Sequence, residues 1–199
     1  WYARFLKVNG KVQGTTSGGL ASMGNGVPYA LAAKFAEPDK PVVAMVGDGA
    51  MQMIGNNGPI TAAHYWREWS DPRLVILVLN NRDLNQVTWE QRVMEGDPKY
   101  ESSQALPDFD YDRYAEMLGL RGLRLDDPDQ VVAVLEDALN ADRPVVINAV
   151  VDPNVPPLPT HLEMDQVKGY LSSILKGDPE AGPQIRQSVK AMAAKYLKR

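Results

Sequence analysis

Pro41-Val42-Val43-Ala44-Met45-Val46, running into Gly47-Asp48-Gly49, and Leu74 to Leu79, running into Asn80-Asn81, are the stretches that decide the fold. Each is an apolar run of strand length that stops at turn-forming or amide residues, as a parallel strand buried on both faces does. In open α/β sheets, ligands sit beyond the C-terminal ends of such strands. Adjacent parallel strands would bring Asp48 and the asparagine pair to one edge. A carboxylate, an amide oxygen and nearby backbone carbonyls form a hard-oxygen set suited to Mg²⁺, an ion that carries phosphates with it. The two runs therefore predict a diphosphate site.

Outward from these runs, Met23-Gly24-Asn25-Gly26-Val27-Pro28 opens a helix through Tyr29 to Phe35, and Glu37-Pro38-Asp39-Lys40-Pro41 stops it. A second helix is expected over Thr61 to Trp69, broken by Asp71-Pro72. Residues 82–107 are polar with little periodicity, a connection long enough to be a functional loop or a linker. Tyr111 to Leu118 reads as a helix and Arg121 to Leu125 as a short strand. Asp127-Pro128 caps a helix with Val131, Val134, Leu135 and Leu139 on one face, and Pro144 to Val151 is a last β-branched strand. The alternation predicts an α/β fold: three α/β/α layers around a mostly parallel sheet covered on both faces, with a helical C-terminal tail after it. The expected boundaries are a lead-in over 1–14, a diphosphate- and Mg²⁺-binding domain over 15–152, and a connector with tail over 153–199. Pro153 to Pro159 forms the connector. The tail helices carry apolar stripes at Met164, Val167, Leu171 and Ile174, and at Ile185, Val189, Met192 and Tyr196.

A chain of 199 residues can bury one sizeable core, and its net charge of −4 argues against a dedicated nucleic-acid binder. The absence of cysteine excludes a disulfide framework, a thiol catalyst and a Cys-ligated metal. No apolar run reaches the length of a membrane span and no signal-peptide pattern opens the chain, so a cytoplasmic location is expected. The chain starts at Trp1 rather than Met, and we read it as an excised part of something longer.

With both motifs in place, residues 15 to 151 resemble the diphosphate-binding domain of thiamine-diphosphate enzymes. The resemblance implies Mg²⁺ held by Asp48, by the side-chain oxygen of Asn81 and by the backbone carbonyl of Asp83. It also implies that Gly47 and Gly49 shape the turn, with the N–H groups of Gly49 and Ala50 holding the diphosphate of the thiamine diphosphate. Ala21-Ser22-Met23 matches a further element of the family: Met23 wedges under the bent cofactor between its rings, and the Ala21 carbonyl accepts from the aminopyrimidine. A soft, unbranched side chain suits such a gap.

Val155-Pro156-Pro157, the helix through Gln166 to Tyr170, the terminal Tyr196-Leu197-Lys198-Arg199 and Leu118-Gly119-Leu120-Arg121-Gly122-Leu123-Arg124 are similar to bacterial pyruvate oxidases of the flavin- and quinone-linked type. That resemblance implies decarboxylation of a 2-oxo acid, pyruvate favoured, with the thiazolium as electron sink and electrons passed to flavin. The FAD would be bound mainly outside this domain. It further implies a homodimer or homotetramer when full length. The activating glutamate would come from the pyrimidine-binding domain of a partner subunit, so no catalytic residue is expected in this chain and the chain alone would not turn over. Acetolactate synthase-like carboligases share the core motifs and are the alternative; a non-catalytic cofactor-binding or assembly module is the other. The chain departs from the pattern in three places. The gap between motifs is longer, through His64 to Ser70; Asn57 replaces a carboxylate; and Asn85-Gln86 replaces a glycine and an apolar residue, with Gln86 on the substrate side.

Other polar groups receive plainer readings. His64 and His161 are expected to be solvated or packing residues. Asp108, Asp110 and Asp112 lack the glycine and glutamate of a calcium loop and read as helix-start residues. Lys190, Lys195, Lys198 and Arg199 read as a solvated helix face, with peripheral contact to an anionic membrane surface as the alternative.

Overall fold

The computed structural model describes residues 2–155 and 163–196. Two compact units emerge: residues 1–81 with 108–151, and residues 82–107 with 152–199.

The first unit is built on a four-stranded, all-parallel sheet. Its strands are β1 (Val42–Gly47), β2 (Leu74–Asn80), β3 (Arg121–Leu125) and β4 (Val145–Val150), in the order β1-β2-β4-β3. Helix α1 (Gly26–Ala36) precedes β1, and α2 (Asn57–Tyr65) lies between β1 and β2. Because successive strand residues point to opposite faces, β2 feeds two cores. Leu74, Ile76 and Val78 join Val27, Leu31, Ala44, Val46, Met51 and Ala62 on one face. Val75, Leu77 and Leu79 meet Val145, Ile147 and Ala149 on the other, under the helix over Val131–Leu139. The α/β expectation holds, with one local exception. On β1 the second face is open, and Val43 and Met45 are exposed. The sheet is three layers deep at its centre and two at this edge.

A buried lysine closes the junction after α1. Lys34 is fully buried, and its Nζ donates to the carbonyls of Lys40 (2.6 Å), Asp71 (2.7 Å) and Pro38 (3.3 Å). Burial pulls its pKa below the usual lysine value. The charge is tolerated because three carbonyl oxygens replace its water.

Three sequence expectations change. Helical backbone begins at Asp48 itself, passes through a π-helical turn over Met51–Gly55 and continues in α2, well before Thr61. Glycines at 49, 55 and 58 masked that start, since glycine is a poor helix former. Residues 82–107 are largely helical: α3 (Asn85–Glu90) runs into a π-turn over Gln91–Glu95, and a further turn spans Glu101–Gln104. In the helix Val131–Leu139 it is Ala138 that is buried, while Val131 and Leu139 stay exposed.

The second unit joins 82–107 to the tail, although the expected boundaries put 82–107 with the first domain. Its tail helices span Met164–Leu175 and Ala181–Tyr196. The expected apolar stripes are only partly covered: Met164, Leu171, Ile185 and Val189 are exposed, Val167 and Ile174 are half-buried, and the buried side chains among the described residues of the tail are Ser173, Asp178, Gln184 and Ser188. Arg92, fully buried, places Nε 2.8 Å from Asp178 and a second nitrogen 2.8 Å from Glu180. Asp178 also accepts from the Lys99 N–H (3.0 Å) and Gln184 (2.9 Å). Lys99 Nζ bridges Glu180 (2.9 Å) and Asp83 (3.1 Å). Pro156, Pro157, Pro159, His161, Leu197, Lys198 and Arg199 lie outside the described residues, as do the side chains of Met192, Lys195 and Tyr196. Among the described residues, no helix is long and apolar enough to cross a membrane.

Candidate functional site

The register between β1 and β2 sets Gly47 opposite Leu79, so Asp48 and Asn80-Asn81 leave the sheet at the same edge. Asp48 is 2 % exposed, and its carboxylate accepts from the Gly49 N–H at 2.9 Å. The Gly49 N–H is thus turned to its neighbour's carboxylate. Gly47 is exposed, with open space where a Cβ would stand, so a ligand can approach the backbone closely there.

The asparagine pair divides its labour. Asn80 is 2 % exposed, and its amide nitrogen donates to Asn148 (3.0 Å), to Asp108 (3.4 Å) and to the Phe109 carbonyl (3.5 Å). Asn148 donates in turn to Asp112 at 2.9 Å. Asn81 is half-buried, one residue past the end of β2. Asp83, two residues on, belongs to the second unit. Its buried carboxylate is held by the Thr88 hydroxyl (2.9 Å) and Lys99 (3.1 Å), so the side chain is committed to that unit's ion network. Gln86 is exposed in the first turn of α3 and donates to Glu90 at 3.0 Å, while Asn85 donates to the Pro153 carbonyl at 2.5 Å.

The upstream element lies against the turn after Asp48. Gly24 has φ +94°, and a Cβ there would lie 2.5 Å from the Ile54 side chain and 3.3 Å from the Ala50 carbonyl. This close approach brings Ala21-Ser22-Met23 to the helical start after Asp48. Ala21 and Ser22 are exposed, and Met23 is 42 % exposed, so Met23 is not consumed in packing α1.

Two features have no counterpart in the sequence pattern. Among the described residues, only Ala21 (φ +49°) and Arg82 (φ +58°) are non-glycines with left-handed backbone. Such conformations are strained for side-chain-bearing residues and concentrate at functional sites. Each directly borders a candidate residue, Ser22 in one case and Asn81 in the other. The second feature is Tyr111, fully buried at the start of the helix over Tyr111–Met117. Its hydroxyl lies 3.3 Å from the Asp48 carbonyl and accepts from Gln52 at 3.2 Å. Burial pushes the hydroxyl pKa up to about 12; the bond from Gln52 opposes this, and the nearby Asp48 and Asp108 carboxylates add to it. Asn148 was readable as a polar interruption of Val145-Val146-Ile147, whereas the reach of Tyr111 to Asp48 had no sequence signal.

Among the described residues, no three His, Asp or Glu side chains converge as a metal cluster. Oxygen ligands drawn from one carboxylate, one amide and backbone carbonyls suit Mg²⁺, which keeps most of its octahedron for phosphate and water. The donor set, together with the open approach at Gly47, fits a Mg²⁺-diphosphate group.

Residues 1–149 match the family model of the thiamine pyrophosphate enzyme, C-terminal TPP binding domain. The chain belongs to this family. It is 32 % identical over 196 residues to YdaP of Bacillus subtilis (strain 168), described only as a thiamine pyrophosphate-containing protein, a match covering 96 % of this chain and 32 % of that protein. It is 33 % identical over 169 residues to the mitochondrial acetolactate synthase catalytic subunit of Saccharomyces cerevisiae, covering 85 % of this chain and 23 % of that one. The structure resembles a thiamine diphosphate-dependent 4-hydroxybenzoylformate decarboxylase of Rhodococcus jostii RHA1, with a TM-score of 0.56 and 26 % identity over 65 % of this chain and 23 % of that chain. The chain thus spans a third or less of the length of these relatives. None of these three is described as a pyruvate oxidase, so that narrower expectation does not carry over as a finding.

Proposed function

We propose that this domain supplies the diphosphate- and Mg²⁺-binding half of a thiamine diphosphate-dependent enzyme that decarboxylates a 2-oxo acid. The observation that carries the reading is the convergence of Asp48 and Asn81 at one sheet edge, within a chain of this family. Asp48, the Asn81 amide oxygen and the Asp83 carbonyl hold Mg²⁺. Gly47 and the N–H groups of Gly49 and Ala50 would receive the diphosphate. Met23 supports the cofactor's bend, the Ala21 carbonyl accepts from the aminopyrimidine, and Gln86 faces the substrate. The bound cofactor supplies the electron sink for decarboxylation; the protein's part is to hold it bent and oriented. The activating glutamate comes from the pyrimidine-binding domain of a partner subunit, in a homodimer or homotetramer.

After decarboxylation, two fates are open to the product. Carboligation of the acetolactate synthase type is supported by relatives such as the yeast subunit, with pyruvate as the substrate. Electron transfer to FAD is supported by the pyruvate oxidase-like stretch Leu118 to Arg124. Titration with thiamine diphosphate and Mg²⁺ tests the site: Asp48→Ala is expected to weaken Mg²⁺ binding more than about tenfold, a loss of over about 1.4 kcal/mol. Binding equal to the parent's would sink the metal assignment. In the full-length protein, acetolactate formation against flavin reduction by pyruvate separates the two fates.

A further inference from the structure

We infer that Tyr111 is a positioning residue for the metal-binding turn, holding Asp48 through its backbone rather than touching metal or cofactor. The inference rests on the Mg²⁺ reading of Asp48 and adds to it a residue from a different part of the chain. A buried tyrosine hydroxyl must place its single proton on an acceptor, because an unmade hydrogen bond there is costly. Gln52 donates to this hydroxyl at 3.2 Å and so occupies an acceptor site, leaving the Tyr111 proton for the Asp48 carbonyl at 3.3 Å. Gln52 itself belongs to the π-turn after Asp48, so one hydroxyl touches the segment from Asp48 to Gln52 at both ends. Such single-turn π-helices recur at functional sites, and this one needs an outside anchor because its own hydrogen-bond ladder is irregular.

The same short segment reaches the second motif. Asp108 and the Phe109 carbonyl accept from Asn80, the residue before Asn81. Residues 108–111 therefore tie down the ends of β1 and β2 together, with one contact to Asp48 and two to Asn80. Phe109 packs on Tyr111 with ring centroids 4.9 Å apart, which stiffens the segment between its two contacts. Mg²⁺ demands near-ideal octahedral geometry, so a ligand residue whose backbone is able to shift binds it less well.

The test is calorimetric titration of Mg²⁺ into the protein at saturating thiamine diphosphate, with Tyr111→Phe and Asp48→Ala beside the parent. The thermal midpoint of each is measured without metal. Tyr111→Phe keeps the ring and removes only the hydroxyl. It is expected to raise the Mg²⁺ Kd about three- to fivefold, the size of one neutral hydrogen bond at long range. Its metal-free midpoint should fall too little to account for that change. An unchanged Kd in Tyr111→Phe, with affinity lost in Asp48→Ala, overturns the positioning role alone, as does a lower midpoint with an unchanged Kd. An unchanged Kd in Asp48→Ala overturns the metal reading and this inference with it.

Discussion

The two units use opposite means to hold themselves together. In the first, strands such as Val145 to Ala149 are buried on both faces, and Val, Ile, Leu and Ala side chains make up most of the interior. In the second, Trp89 stacks on Tyr170, but the largest fully buried side chain is Arg92, surrounded by Asp178, Glu180 and Gln184. Apolar packing is tolerant and non-directional, so the sheet forms wherever the pattern is right. A buried ion network is directional and its stability depends on every partner being present. The segment immediately after Asn81 is therefore the part of the domain whose order depends most on individual residues.

Removing one partner should break the comparison most visibly. Arg92→Ala leaves Asp178 and Glu180 without their shared guanidinium and is expected to cost about 3–5 kcal/mol, the range for an orphaned buried charge. Hydrogen exchange should show faster amides across Asn85–Gln104 and Met164–Ser188 while β2 and β4 keep their protection. Equal loss of protection in β4 would erase the distinction between the units.

Acid should do the same by degrees. Burial would raise the Asp178 pKa, but Arg92 and the N–H groups of Glu180 and Lys99 outweigh it and hold the carboxyl below its usual value. The unfolded chain then takes up this proton at higher pH than the folded one. The stabilisation is fully present above the ordinary carboxylate pKa and is lost as pH falls through the depressed one. Amides of the second unit should lose protection below about pH 4, ahead of those in β2. The opposite order would show that the ion network does not set the acid limit. The smallest effect is expected from Arg121→Ala, which removes the exposed pair with Asp137 at 2.5 Å. Thermal unfolding should register about 0.5 kcal/mol or less, because exposed pairs are screened by water.

The same contrast explains what could be read from the sequence. All four strands were legible because apolar runs bounded by turn residues have a strong local signature, and Asp48 and Asn81 were placed by where those runs end. The helical nature of 82–107 was not, because Trp89 is its one large apolar buried side chain and the other buried side chains, Asp83, Thr88, Arg92, Lys99 and Gln104, are polar or charged, which a hydrophobic period cannot find. The tail misled in the opposite sense, since Leu171 and Val189 sit at helical spacing yet face outward. Tyr111 and Asn148 reach the site through contacts distant in sequence, and only Asn148 interrupts a pattern strongly enough to be noticed.

The pairing of Arg92 with Asp178 spans 86 residues of chain. A protein is made from its N-terminus, and contacts this far apart in sequence close late. By the time Asn81 emerges, β1 and β2 already have each other as partners. The segment beyond Asn81 must wait until Asp178 and Glu180 arrive to neutralise it. The ends of β1 and β2, beside Asp48 and Asn81, can thus form early, whereas the helical segment that follows Asn81 gains its buried partners only once Asp178 and Glu180 have been made.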